Sequence, residues 1–289
     1  MGAHVAVNRG LSRCVEHAVE IGAEVIQVFL ANPRGWAPPP PDPEGDERFR
    51  DACAERGLPV FVHAPYLINF GSPSPDTQRR SVEALTFALR RAAGVGALGV
   101  VVHAGSAVLG NRLDDALGQI RHCVRPLLAD DGPRVLIEPT AGGGDALAAD
   151  AASIGRFLEA LDDERVGLCI DTCHLHAAGH DLSHTTAMRR AFREIESNAG
   201  PGRIKLIHAN DSRDPAGSRR DRHAAIGAGT IGLDAFRALF SLPALRDVPV
   251  VVETEPANQA ADVAALKTLR AATRRRDSAR SSGSPNSGS

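Results

Sequence analysis

Neither sign of charge dominates this chain of 289 residues, whose formal net charge is −2. That balance removes any whole-molecule electrostatic argument for a nucleic-acid partner, so such a contact has to come from a local basic surface. Cysteine is scarce as well. Cys14, Cys53, Cys123, Cys169 and Cys173 are odd in number and lack C-x-x-C spacing, which argues against a disulfide framework and for a reducing cytosol. No charged-then-apolar leader follows Met1, and no uninterrupted apolar run approaches the ~20 residues of a membrane span. These absences predict a soluble, cytoplasmic protein with no membrane partner. Nothing marks an oligomer interface, so a monomer is the expectation.

Apolar residues make up 43% of the chain, enough for the core of one large α/β barrel or of two ordinary domains. Short β-branched runs recur at residues 3–7, 25–30, 60–63, 100–103, 135–138, 166–171, 204–208 and 250–253. They are almost wholly apolar, as expected of parallel strands covered on both faces. Between them lie stretches such as 78–93 and 113–128, with apolar residues at three- and four-residue spacing. Eight β-then-α units in this length predict a TIM-type (β/α)8 barrel over residues 1–273, with a doubly wound open sheet as the fallback. The proline run at 38–41 reads as a stiff loop wall. The Arg/Ser/Gly-rich stretch 274–289 lacks core-forming residues and reads as a disordered tail.

Metal-capable side chains fall in phase with the strands. The third to eighth strands end at His63, His103, Glu138, Asp171, His208 and Glu253, spaced 40, 35, 33, 37 and 45 residues apart. Each interval matches one βα repeat, and in a TIM barrel all these ends meet on the face where active sites sit. A single histidine there could be a hydrogen-bonded core residue, and a single glutamate could cap a loop. Six such groups converging without partners would bury like charges at several kcal/mol each. Bound divalent cations remove that cost, because imidazole and carboxylate together are the ligand set of zinc and its neighbours. Three further candidates lie in loops. His174 follows Asp171 by three residues, and Asp221 and His223 project to the same side of an extended segment. Nine ligands suit three ions sharing a bridging carboxylate, with Mn2+ able to replace Zn2+ at one of them. Cys169 and Cys173 lack partner thiols and are left out of the site. His176, His180 and His184 read as surface or supporting groups.

The order of these motifs resembles the endonuclease IV family. The resemblance rests on Ile170-Asp171-Thr172-Cys173-His174 with Ala177-Ala178-Gly179-His180-Asp181, on His208-Ala209-Asn210-Asp211, and on Gly217 to His223 followed by Gly227-Ala228-Gly229-Thr230-Ile231-Gly232. Gly2-Ala3-His4-Val5 and the stretch from His63 to Asn69 are similar too, so it spans Gly2 to about Leu269. It implies cleavage of the phosphodiester 5′ to abasic sites in double-stranded DNA, and removal of 3′ blocking groups. It also implies a grouping of ligands, with His63, His103 and Glu138 on one zinc. Glu138, Asp171, His208 and Glu253 would hold a second, and His174, Asp221 and His223 a third. Glu138 and Glu253 would be the catalytic carboxylates, Glu253 helping to orient or deprotonate the attacking water.

The basic triplet Arg219, Arg220 and Arg222 suits phosphate contacts. Tyr66, Leu67 and Arg34 resemble the family's wedge residues, which prise the duplex apart and help eject the damaged nucleotide. Two positions depart from the pattern. Pro139 stands where a small polar amide is usual, and Ala104 where proline is common. The competing expectation is a divalent-metal sugar isomerase or epimerase on a xylose isomerase-like barrel, which would need fewer ligands. A barrel that binds damaged DNA without cutting it would be expected to have lost one of the nine, and none is lost.

Overall fold

The computed structural model describes residues 1–8, 10–108, 113–128 and 132–282, with side chains through residue 276. Eight parallel strands close into a barrel: β1 (Gly2–His4), β2 (Ile26–Phe29), β3 (Val60–His63), β4 (Gly99–His103), β5 (Arg134–Glu138), β6 (Val166–Asp171), β7 (Ile204–His208) and β10 (Val250–Val252). The two-residue strands β8 (Asp211–Ser212) and β9 (His223–Ala224) pair antiparallel between β7 and β10. Around the barrel run α1 (Leu11–Glu20), α2 (Pro43–Glu55), α3 (Pro75–Gly94), α4 (Leu113–Val124), α5 (Ala151–Leu161), α7 (Thr185–Ala199), α8 (Leu233–Leu239) and α9 (Pro256–Ser282). The short α6 (Thr172–Ala178) follows β6 directly.

Local chemistry sets these boundaries. Ser74 caps α3 by accepting from Thr77 N–H, with Pro75 in the first helical position. Asp150 and Ser153 form a capping box on α5. The proline run 38–41 leads into α2, where Asp42 caps and Pro43 takes the first helical position.

Alternation along the strands builds two interiors. The outward-facing residues join the helices in one large apolar cluster. The inward-facing ones form a separate layer of Val25, Phe61, Val101, Leu136, Cys169, Leu206 and Val251 inside the barrel. Two residues further along each chain segment, the same face carries Gln27, His63, His103, Glu138, Asp171, His208 and Glu253. Because strand side chains repeat every two residues, an apolar floor and a polar ceiling follow from one register.

The fold differs from the sequence expectations in two places. The first strand is Gly2–His4 rather than 3–7, because the chain turns away once it has paired with β2 and β10. The stretch 274–282 belongs to α9 rather than to a tail. No glycine or proline interrupts the sequence between Pro256 and Gly283, and Ala, Arg and Leu favour the helix. The remainder of the expected tail, 283–289, lies outside the described residues. Among the described residues, no helix is long and apolar enough to cross a membrane.

Candidate metal centre

All nine donors expected from the sequence converge at the C-terminal end of the barrel. Glu138 lies at their middle, with Oε2 3.2 Å from His63 Nε2 and 3.5 Å from His103 Nε2. Its Oε1 is 3.0 Å from His208 Nδ1 and 3.3 Å from His174 Nδ1. Three donor sets have their ligand atoms within 4.8 Å of one another: His63, His103 and Glu138; Glu138, Asp171, His208 and Glu253; and Asp171, His174 and His223. Asp221 closes the last, with Oδ2 3.2 Å from His174 Nε2 and Oδ1 3.0 Å from His223 Nε2.

Backbone carbonyls decide which ring nitrogen each histidine presents. A carbonyl only accepts, so the nitrogen facing it must carry a proton, and the other is the one that can meet a metal ion. His63 Nδ1 donates to Ala64 O at 2.7 Å, which leaves Nε2 toward Glu138. His174 Nδ1 donates to Pro139 O at 3.0 Å, which leaves Nε2 toward Asp221. The departure at Pro139 is therefore harmless to this contact, since the site uses its carbonyl and not an N–H. At the other departure, Ala104 N–H donates to Glu138 O at 2.9 Å, a bond that proline could not make.

The carboxylates are held as firmly. Asp171 ends β6 and caps α6, accepting from His174 N–H at 3.1 Å. Asn210 is buried and donates to Asp171 Oδ2 at 2.8 Å and to Glu253 Oε2 at 3.2 Å, while its own oxygen accepts from Glu253 N–H. Asp211 is buried and accepts from the amides of Ser212, Gly227, Gly229, Ile231 and Gly232. That ties down the segment carrying Asp221 and His223. A Cβ on Gly229 would come within 2.3 Å of Ser212 O, so glycine is required there.

The electrostatics are those of a cation site. Burial alone would lower the pKa of His174, yet Asp171, Asp221 and Glu138 hold it well above 6.5. His223 is raised to about 9 against burial, through Asp171 and Asp221. Burial would raise Glu138, but His208, His174 and His63 hold it well below the usual carboxylate range. Burial does raise Asp171. His103, nearer the mouth, falls to about 4 through burial.

A direct test of fit comes from His223. Its buried Nε2 faces Asp221 Oδ1 and Asp171 Oδ2, at 3.0 and 3.4 Å, yet has no hydrogen-bond partner among the described residues. An imidazole nitrogen aimed between two carboxylates without a bond is the arrangement a cation completes. The nitrogen and oxygen donor set suits zinc. Cys169 and Cys173 come close to these donors, but burial pushes both thiols up to about 12, so they are protonated at neutral pH.

Above the donors, Tyr66 stacks on His103 with ring centroids 5.3 Å apart and meets His63 edge-on. Tyr66 and Leu67 are 43% and 36% exposed, large apolar surfaces standing beside the cluster. Tyr66 N–H donates to Pro33 O at 2.9 Å, which fastens the loop of exposed Arg34 to the same rim. The basic triplet divides. Arg219 lines a cleft of about 370 Å3 together with Tyr66, His103, His174 and Asp221. Its φ of 56° is a conformation that side-chain-bearing residues rarely adopt. Arg222 instead grips the buried Asp214 through Nε at 2.7 Å and through a terminal nitrogen, and Arg220 approaches the same carboxylate at 3.6 Å. His176 is buried rather than superficial, accepting from Leu182 N–H at 3.1 Å.

Sequence reasoning missed three members of this site. Asn210 was visible only as part of a motif. His4 and Gln27 complete the polar layer on β1 and β2, side by side across the pair. One signal was available: Gln27 is the only polar residue in the run 25–30, and it lies two positions after an inward-facing valine.

A closed parallel barrel with such donors at its mouth defines a class, and the family model of the xylose isomerase-like TIM barrel matches residues 15–272. A probable endonuclease 4 of Streptomyces coelicolor is 51% identical over 93% of this chain and 95% of its own length. The crystal structure of endonuclease IV from Thermus thermophilus is 30% identical, with a TM-score of 0.80 over 93% of this chain and 97% of that one. A D-tagatose 3-epimerase-like protein shares the fold at 18% identity, with a TM-score of 0.76 over 96% of this chain and 99% of that one. The chain belongs to the endonuclease 4 family.

Proposed function

We propose that this protein is a metal-dependent apurinic/apyrimidinic endonuclease of DNA repair. It hydrolyses the phosphodiester 5′ to an abasic site in double-stranded DNA, and removes 3′ blocking groups, with three zinc ions at the barrel mouth. The observation that carries the reading is the third donor set of His174, Asp221 and His223, built beside the two that share Glu138. A sugar isomerase or epimerase needs fewer ligands and leaves that set without a purpose. The family membership supports the same choice.

His63, His103 and Glu138 would hold one zinc, Glu138, Asp171, His208 and Glu253 a second, and His174, Asp221 and His223 the third. Mn2+ accepts the same nitrogen and oxygen donors and could replace one of them. Bound zinc supplies Lewis acidity, which neutralises phosphate charge and eases deprotonation of water.

The remaining work falls to the chain's own groups. His208 outweighs burial and holds Glu253 well below the usual carboxylate range, so Glu253 is ionised and would help orient or deprotonate the attacking water. The water oxygen bonds to phosphorus, the P–O3′ bond breaks, and the departing oxygen is protonated to a 3′-hydroxyl. Arg219 faces the cleft where the phosphate backbone would lie. Tyr66, Leu67 and Arg34 stand where a duplex would meet the rim, and unstacking costs least where a base is already missing. Arg220 and Arg222 act on the DNA less directly, because Asp214 occupies them. The protein works as a monomer in the cytoplasm on this reading.

The test is incision of a labelled duplex carrying one synthetic abasic site, by protein whose metals have been counted. Cleavage on the 5′ side leaving a 3′-hydroxyl, with about three ions per chain, is expected. Two ions or fewer and no incision would overturn the reading in favour of an aldose or ketose substrate.

A further inference from the structure

Gln27 is an amide buried at an inward-facing barrel position whose neighbours one layer below are Val25, Phe61 and Val251. An amide placed there costs several kcal/mol unless its hydrogen bonds are made. Its partners all lie in the polar layer. Its Nε2 donates to Glu253 Oε1 at 2.8 Å and lies 2.9 Å from His4 Nδ1. Its Oε1 lies 2.9 Å from His208 Nε2.

The two ends of this amide are chemically unequal, and its surroundings fix which way it points. A carboxylate only accepts, so the NH2 end must face Glu253. The oxygen end then faces the His208 ring and can only accept, so His208 Nε2 must carry the proton. Nδ1, the nitrogen that points at Glu138 Oε1 (3.0 Å) and Glu253 Oε2 (3.1 Å), is thereby the one that can give up its proton to a metal ion. His63 and His174 have their tautomers set by backbone carbonyls, whereas His208 has a side chain for the purpose. The same amide holds Glu253 Oε1, with His4 Nδ1 3.0 Å from that oxygen, and so leaves Oε2 directed into the donor set.

We propose that Gln27, seconded by His4, is a positioning residue of the metal centre. It locks His208 in the tautomer that ligates through Nδ1 and locks Glu253 in the rotamer that presents Oε2. The assignment rests on the donors being metal ligands, as proposed above, and concerns the set of Glu138, Asp171, His208 and Glu253 alone. Outer partners of this kind are worth roughly 10–100-fold in metal affinity.

The experiment uses Gln27→Met, which keeps length and volume but removes the hydrogen bonds to Glu253 and His208. Zinc affinity is read by chelator competition on the full chain without DNA, together with the visible spectrum of the cobalt-substituted protein. One ion of three is expected to weaken by about 10–100-fold, the cobalt bands to shift, and the metal-free melting temperature to hold. Unchanged affinity for every ion with an unchanged spectrum would overturn the proposal. So would an equal loss at all three ions with a lowered melting temperature, because that is the signature of disturbed packing. A crystal structure of the zinc-loaded wild-type protein keeps the question decidable if the variant does not fold. Ligation through His208 Nδ1 with Gln27 Oε1 on Nε2 is expected, and ligation through Nε2, or by Gln27 itself, would overturn it. Failure of the wild-type protein to cut abasic DNA would sink the endonuclease reading while leaving these metal measurements to stand.

Discussion

His63 Nε2 and Glu138 Oε2 lie 3.2 Å apart although 75 residues separate them, and Glu138 meets His208 and His174 with its other oxygen. A carboxylate shared between two donor sets cannot be replaced by either set alone. Glu138→Gln should therefore reduce bound zinc by at least one ion per chain. Incision should fall by about 100-fold or more, since the variant loses both charge and bridging geometry. Elemental analysis alongside the incision assay measures both, and full zinc content with near-wild-type cutting would contradict the bridge.

Metal and protons compete for the same nitrogens. In the metal-free protein His174 and His208 stand well above 6.5 and His223 at about 9, each against its own burial. A raised pKa contributes stability that is fully present below the unfolded value near 6.5 and is lost as pH climbs through the folded one. His103, lowered to about 4, has the opposite sign, and its contribution is lost as pH falls from 6.5 toward 4. The metal-free melting temperature should thus decline as pH rises from 6.5 through 9, and zinc-loaded protein should lack that decline. Calorimetry at pH 7 in buffers of different ionisation enthalpy should record release of about three protons on zinc binding. Zinc binding without proton release would show that the imidazoles start out neutral.

On the proposed reading the rim would meet DNA and leave the metals alone. Tyr66 stacks over His103 and its amide is tied to Pro33, which fastens it to the Arg34 loop. Tyr66→Ala and Arg34→Ala should each reduce discrimination between abasic and intact duplex by about tenfold, on the scale of a lost stacking contact, while zinc content holds. Competition binding with both duplexes measures this, and unchanged selectivity would remove these residues from damage recognition.

The three arginines should separate cleanly. Arg219→Ala is expected to weaken DNA binding evenly across sequences and to lower the slope of log affinity against log salt by about 0.9, one phosphate contact. Arg222→Ala should leave that slope alone. Instead it should lower the melting temperature and the zinc content, because Asp214 loses its main partner beside the segment that carries Asp221 and His223. Equal salt slopes for the two variants would mean that both arginines reach phosphate.

Most of the site was legible because it is periodic. His63, His103, Glu138, Asp171, His208 and Glu253 recur once per βα repeat at the ends of apolar runs, and a barrel brings such ends to one face whatever the loops do. Asp221 and His223 were legible by the same logic at shorter range, two residues apart on an extended segment. Gln27 was not. It sits inside its strand with Val28 and Phe29 still to come, and at that distance from the strand end it reads as an interruption.

The sequence by itself determined the barrel, its inward phase and the set of candidate donors, because hydrophobic alternation and repeat length are local properties of the chain. Tertiary structure alone decided how those donors are aimed. Closing the barrel sets β1 between β2 and β10, which places His4 and Gln27 against Glu253 from 249 and 226 residues away. It also decided that Arg222 serves Asp214 while Arg219 faces the cleft, since the β8–β9 hairpin folds the loop back on itself. Hydrogen-bond direction, tautomer and ion pairing depend on ångström-scale proximity between distant segments, and no periodicity along the chain encodes that.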